Sequence, residues 1–114
     1  MNELTNTISG KAGVDPERTR RATGIILNFL RVEGPPEAVD ALLDALPGSR
    51  ELAAETGGGT GGLLGVFNQL TSVGLGIGEI QNVAAALLDY ARAKAGPEKV
   101  DAVVRAVPGL ELIG

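Results

Sequence analysis

Pro36-Glu37-Ala38-Val39-Asp40-Ala41-Leu42-Leu43-Asp44-Ala45-Leu46-Pro47-Gly48 returns 61 residues later as Pro97-Glu98-Lys99-Val100-Asp101-Ala102-Val103-Val104-Arg105-Ala106-Val107-Pro108-Gly109. Each stretch reads as one short helix. Proline suits the first helical position, where its missing N–H leaves no hydrogen bond unmade. The following glutamate meets the positive end of the helix dipole. The apolar residues 39, 42, 43 and 46, and their counterparts 100, 103, 104 and 107, fall on one face at helical spacing. Pro-Gly then closes both copies.

Working outward, the same offset aligns 13–48 with 74–109 without a gap, and 11 of the 36 pairs are identical, including Gly13/Gly74, Leu27/Leu88 and Arg31/Arg92. The pattern implies a duplicated unit, the reading to test first in any repeat-bearing chain. A long helix precedes each Pro-Glu segment. In the first copy Asp15 is its N-cap, Pro16 its first residue and Gly34 its stop, with Ala22, Ile25, Ile26, Phe29 and Leu30 facing the core. Val83, Ala86, Leu87, Tyr90 and Ala91 repeat that stripe. A first helix is expected near 3–11 and again near 63–73, with Leu63, Val66, Phe67 and Leu70 on one face. A short helix near 50–55, capped by Ser49, and the glycine tract 57–62 join the copies. No period-two alternation suggests a strand. The expected fold is therefore all-α: a compact bundle of six to seven short helices in a single domain, 1–114. It would be built from two tandem copies of a three-helix unit (3–56 and 63–114) about a pseudo-twofold axis.

The alignment also suggests where the copies meet. Leu27 and Leu88 lie about 140° around the helix from Ala22 and Val83, outside a narrow core stripe. Arg20, Gly24, Leu27 and Arg31 form one line, matched by Gln81, Ala85, Leu88 and Arg92. Small residues at the same place in both lines predict that the long helices cross near Gly24 and Ala85. Ala41/Ala45 and Ala102/Ala106 predict a second close helix contact.

Composition limits the chemistry. The chain has no Cys and no His. That excludes disulfides, thiolate nucleophiles, Cys- or His-ligated zinc, the Ser-His-Asp triad and the usual near-neutral general base. Three aromatics in 114 residues (Phe29, Phe67, Tyr90) leave an aliphatic core. The N-terminal residues Met1–Asn6 carry neither a basic region nor an apolar run, so no signal peptide is expected and the cytoplasm is the expected compartment. No catalytic, cofactor-binding or metal-binding set emerges.

Five features invite a sharper reading. Gly57-Gly58-Gly59-Thr60-Gly61-Gly62 satisfies G-x-G-x-x-G, but that fingerprint needs a preceding strand, and a helical segment stands there instead. Thr56–Gly78 holds no charged residue over 23 positions. Nine of those are glycine, while Asn68, Gln69, Thr71 and Ser72 gather on one side, so a buried helix is expected rather than a membrane span. Glu37, Asp40 and Asp44 share a face without any histidine to make a metal site. Arg18, Arg20 and Arg21 form a basic cluster able to contact an anion or a partner, and they are the candidate site residues. The Leu110-Glu111-Leu112-Ile113 tail is expected to dock on the bundle or to meet a partner.

The stretches Gly74–Gln81, Leu87-Leu88-Asp89-Tyr90-Ala91 and Val107-Pro108-Gly109, with Ile25–Leu30 and Leu46-Pro47-Gly48, resemble small uncharacterised bacterial all-helical proteins. The glycine-rich centre resembles YidB-like proteins. The resemblance implies a helical fold and a bacterial cytosolic setting, and brings no activity with it. The expected function is a non-enzymatic protein-interaction or structural module, its partner another protein or a second copy, with a homodimer open. The alternatives are nucleic-acid or phosphate binding through Arg18/Arg20/Arg21, or a small-ligand carrier with its site between the repeats.

Overall fold

The computed structural model describes residues 3–56 and 62–107, all of whose regular structure is helical. Seven helices follow in order: α1 (Glu3–Ala12), α2 (Pro16–Glu33), α3 (Pro36–Ala45), α4 (Ser49–Thr56), α5 (Gly62–Val73), α6 (Ile77–Ala95) and α7 (Pro97–Ala106). The radius of gyration, 12.3 Å, is close to the roughly 13 Å of a compact domain of this size.

Local signals place the helix ends. The Asp15 carboxylate accepts the Arg18 backbone N–H at 3.1 Å, which occupies one of the free donors at the start of α2. At the start of α6 a glycine stands in the cap position, and Glu79 Oε1 reaches back to accept the Gly76 N–H at 3.1 Å. Gly13 and Gly74 end α1 and α5 in the left-handed region, at φ +70° and +102°, where only glycine escapes a Cβ penalty. Val14 and Leu75 then turn inward to 3% and 4% exposure.

One continuous aliphatic core draws on all seven helices, from Leu4 and Ile8 of α1 to Val100 and Val103 of α7. Every core residue expected on the long helices is buried, as are Val39, Leu42, Leu43 and Leu46; Val104 is only half-buried. The helices pair crosswise. α1 packs on α6 and α5 packs on α2, so the first helix of each half lies against the long helix of the other. α2 and α6 also touch, as do α3 and α7, and α2 makes its most extensive contact with α4.

Several expectations need correcting. Ala85 is exposed, so the long helices do not cross there, although Gly24 is buried. Ala102 and Ala106 are exposed too, so the second small-residue line forms no close contact in α7. Ser49 does not cap α4 through its oxygen: it is the first residue of that helix, and its hydroxyl donates to the Leu43 carbonyl at 2.9 Å. α5 is not a buried helix but an amphipathic one. Val66 and Leu70 are fully buried while Leu64 is 78% exposed. The G-x-G-x-x-G tract (57–61 of it) and the Leu110–Ile113 tail lie outside the described residues.

Candidate functional site

The three candidate arginines do not share one surface. At 100° per residue, Arg18 and Arg20 leave α2 about 160° apart, with Arg21 about 60° from Arg18. Arg18 reaches across to the α5–α6 junction. Its Nε donates to Asp15 Oδ1, its Nη1 to the Gly74 carbonyl at 2.8 Å, and its Nη2 to Glu79 Oε2 at 3.3 Å. The guanidinium donation to Asp15 holds that carboxyl below its usual range and raises Arg18 in turn.

Arg20 and Arg21 instead flank a cleft. Arg20 Nη1 donates to Glu55 Oε2 at 2.7 Å and Nη2 to Glu17 Oε1 at 2.9 Å. Arg21 Nε donates to the same Glu17 oxygen at 3.3 Å. Hydrogen bonding from Arg20 is the main reason Glu17 is held below the ordinary carboxylate range, and the same bond raises Arg20. All three ion pairs are partly exposed to solvent, so they orient side chains more than they stabilise the fold.

The cleft opens between α2, α4 and α5, with a volume of about 460 Å³. Ile25, Leu52 and Val73 supply its apolar part; Arg20, Arg21, Glu55, Gln69 and Ser72 supply its polar part. Two of these groups keep hydrogen-bonding capacity. Ser72 Oγ donates to the Asn68 carbonyl at 2.8 Å, and its lone pairs remain available. Gln69 Oε1 is buried without a hydrogen-bond partner among the described residues. That oxygen is closed to solvent, so it faces the interior and not the cleft opening.

Other sequence candidates have structural roles. Asp40 and Asp44 are both engaged by Arg50, at 3.6 Å and 2.6 Å. Arg92 spans Asp89 and Asp101 at 3.5 Å and 3.8 Å. Its aligned residue Arg31 is exposed. Among the described residues no group of three or more carboxylates is placed to hold a metal, and no helix is long and apolar enough to cross a membrane. Among the described residues the exposed large apolar side chains, Val32, Leu64 and Ile77, belong to three different helices.

Sequence reading found Arg20 and Arg21 but missed the rest of the cleft. The usable signal was the polar side of α5, where Gln69 and Ser72 stand one turn apart in a charge-free segment. Comparison with family models, with curated proteins and with solved structures finds no match to this chain.

Proposed function

We propose that the protein is a non-enzymatic binding module, a fused tandem pair of one three-helix unit, and that its ligand sits in the cleft where the two units meet. Support for the duplication comes from helix boundaries. α1 and α5 end 61 residues apart, α2 and α6 begin 61 apart, and α3 and α7 both begin and end 61 apart. Crosswise pairing of α1 with α6 and of α5 with α2 is what a twofold exchange of the units would produce. Arg18 and Glu79, themselves 61 positions apart, meet in an ion pair, as aligned residues near a twofold axis must.

The observation that carries the binding role is the cleft itself. It takes α2 and α4 from one unit and α5 from the other, and combines an apolar wall with the charged and polar side chains of Arg20, Arg21, Glu55 and Ser72. Concave, mostly apolar sites with a few convergent polar groups are the usual form of small-ligand sites, at roughly 300–1,000 Å³. This favours the carrier reading over a purely structural role.

The test is an amide-resolved NMR titration of the full chain with a mixed panel of anionic, cationic, neutral and peptide probes. Saturable shifts are expected at Ile25, Leu52, Gln69 and Val73. A panel that leaves these amides still, or moves only other surfaces, overturns the assignment of the cleft.

A further inference from the structure

We infer that the cleft selects a small organic monocarboxylate with an apolar body, its carboxylate held by Arg21. This rests on the cleft being the binding surface and adds the class of ligand.

The hydrogen-bond inventory singles out Arg21. Arg20 has both terminal nitrogens engaged, one by Glu55 and one by Glu17. Arg21 uses only Nε, leaving its two terminal nitrogens unengaged among the described residues, on a side chain 61% exposed at the cleft edge. Two parallel N–H donors on one planar group match the spacing of a carboxylate and give a bidentate pair. Charge then narrows the anion. Arg20 and Arg21 are balanced by Glu17 and Glu55, so the rim has no surplus positive field. A doubly charged phosphate monoester would bring two negative charges beside two carboxylates. A monocarboxylate brings one, delocalised over the fork. Behind Arg21 the wall of Ile25, Leu52 and Val73 accepts a hydrocarbon or aromatic body.

Octanoate, octanol and octylammonium share a chain and differ in the head group, so they separate these terms. Binding to the full-length protein is read by calorimetry and by the amide shifts. Octanoate is expected to bind at least ten-fold more tightly than octanol, and octylammonium more weakly than either. Arg21→Gln, at an exposed position, should weaken octanoate about ten-fold and leave octanol unchanged, since a charge-assisted bidentate bond is lost and the apolar wall is kept. Ser72→Trp, also at an exposed position, should fill the cleft and abolish binding of both.

Equal affinity for octanoate and octanol, or octanoate binding untouched by Arg21→Gln, overturns the carboxylate assignment while the cleft stands as a binding surface. Preference for octylammonium overturns it in favour of Glu55 as the recognising group. Failure of all three while neutral or peptide probes shift the cleft amides refutes the ligand class alone. Silence of the cleft toward every probe removes the function on which it rests.

Discussion

Replacing Gly34 by alanine should destabilise the protein by about 1–2 kcal/mol, even though its backbone is in an ordinary extended conformation. At φ −88° and ψ 167° any residue is permitted, so no conformational penalty attaches to a side chain. The penalty comes from space. A Cβ at this position would lie 2.6 Å from the Leu30 carbonyl oxygen, 2.7 Å from Val39 Cγ2 and 3.1 Å from Val107 Cγ2. Comfortable carbon contacts are about 3.5–4.0 Å, so the new methyl or its neighbours must move by roughly 1 Å. The Leu30 oxygen cannot retreat freely, because it accepts the Gly34 N–H at 2.8 Å and so closes α2. Overpacking of this kind costs about 1–3 kcal/mol. Against it stands a gain of about 0.4–1 kcal/mol from the stiffer unfolded chain. Because the backbone oxygen of Leu30 is one of the clashing atoms, the overpacking cost falls in the upper half of its range, about 2–3 kcal/mol, and the net loss is the figure given above.

For a domain of this length such a loss lowers the melting temperature by about 4–8 °C. Thermal and urea unfolding followed by circular dichroism measures it. Gly10→Ala is the control: Gly10 lies within α1 with nothing within 4 Å of an added Cβ, and alanine there should stabilise by about 0.5–1 kcal/mol. Val39→Ala removes one of the clashing methyls, so in its background Gly34→Ala should cost measurably less than alone. A Gly34→Ala protein that melts at or above the parent temperature, with Gly10→Ala behaving as expected, would refute the steric account.

Phe29→Ala should cost about 3–5 kcal/mol in urea melts, because a 1%-exposed ring in the C-terminal half of α2 leaves a cavity. At the aligned position Tyr90→Phe should be neutral or stabilising by the same assay, since the Tyr90 hydroxyl is buried with no hydrogen-bond partner among the described residues. Asp15 and Glu17 titrate below their ordinary values of 3.8 and 4.5 in the folded state. Their contribution is therefore fully present above those values and is lost as the pH falls through the lower folded ones. Asp15→Asn should flatten the acid limb of a melting-temperature profile, and an unchanged limb would count against this coupling. Octanoate should saturate at one molecule per chain by calorimetry, and a second equivalent site would contradict the one-sided cleft.

Helix boundaries were legible because their causes are local. Pro16, Pro36 and Pro97 each begin a helix one residue after the chain turns, and Gly13 and Gly74 end one with a backbone conformation few other residues tolerate. Pairing between helices was not legible, because it depends on contacts far apart in sequence. The small-residue lines predicted a crossing at Ala85, yet a small side chain only permits close approach and does not require it; that face of α6 is left in solvent. The arginine cluster divides by the partners its side chains reach. Arg18 bonds the Gly74 carbonyl and Glu79 at the α5–α6 junction, while Arg20 and Arg21 line the cleft. Apart from Ile25, the cleft's remaining residues lie on α4 and α5, and their meeting with α2 is a tertiary event that no spacing rule encodes.

On the proposed duplication a site should recur in both units, and α4 is the helix whose aligned positions, from 110 onward, lie outside the described residues. It makes the most extensive contact with α2. Burial follows from that. Every residue from Ala22 to Leu30 of α2 is covered, whereas Ala85 and Asp89, aligned with Gly24 and Asn28, remain exposed on α6. α4 also brings Leu52 and Glu55 to the cleft, the first as part of the apolar wall and the second as the acceptor that holds Arg20 in place. On the other long helix the residues aligned with Arg20, Arg21 and Ile25 are Gln81, Asn82 and Ala86. Those side chains offer no guanidinium fork and a smaller apolar surface.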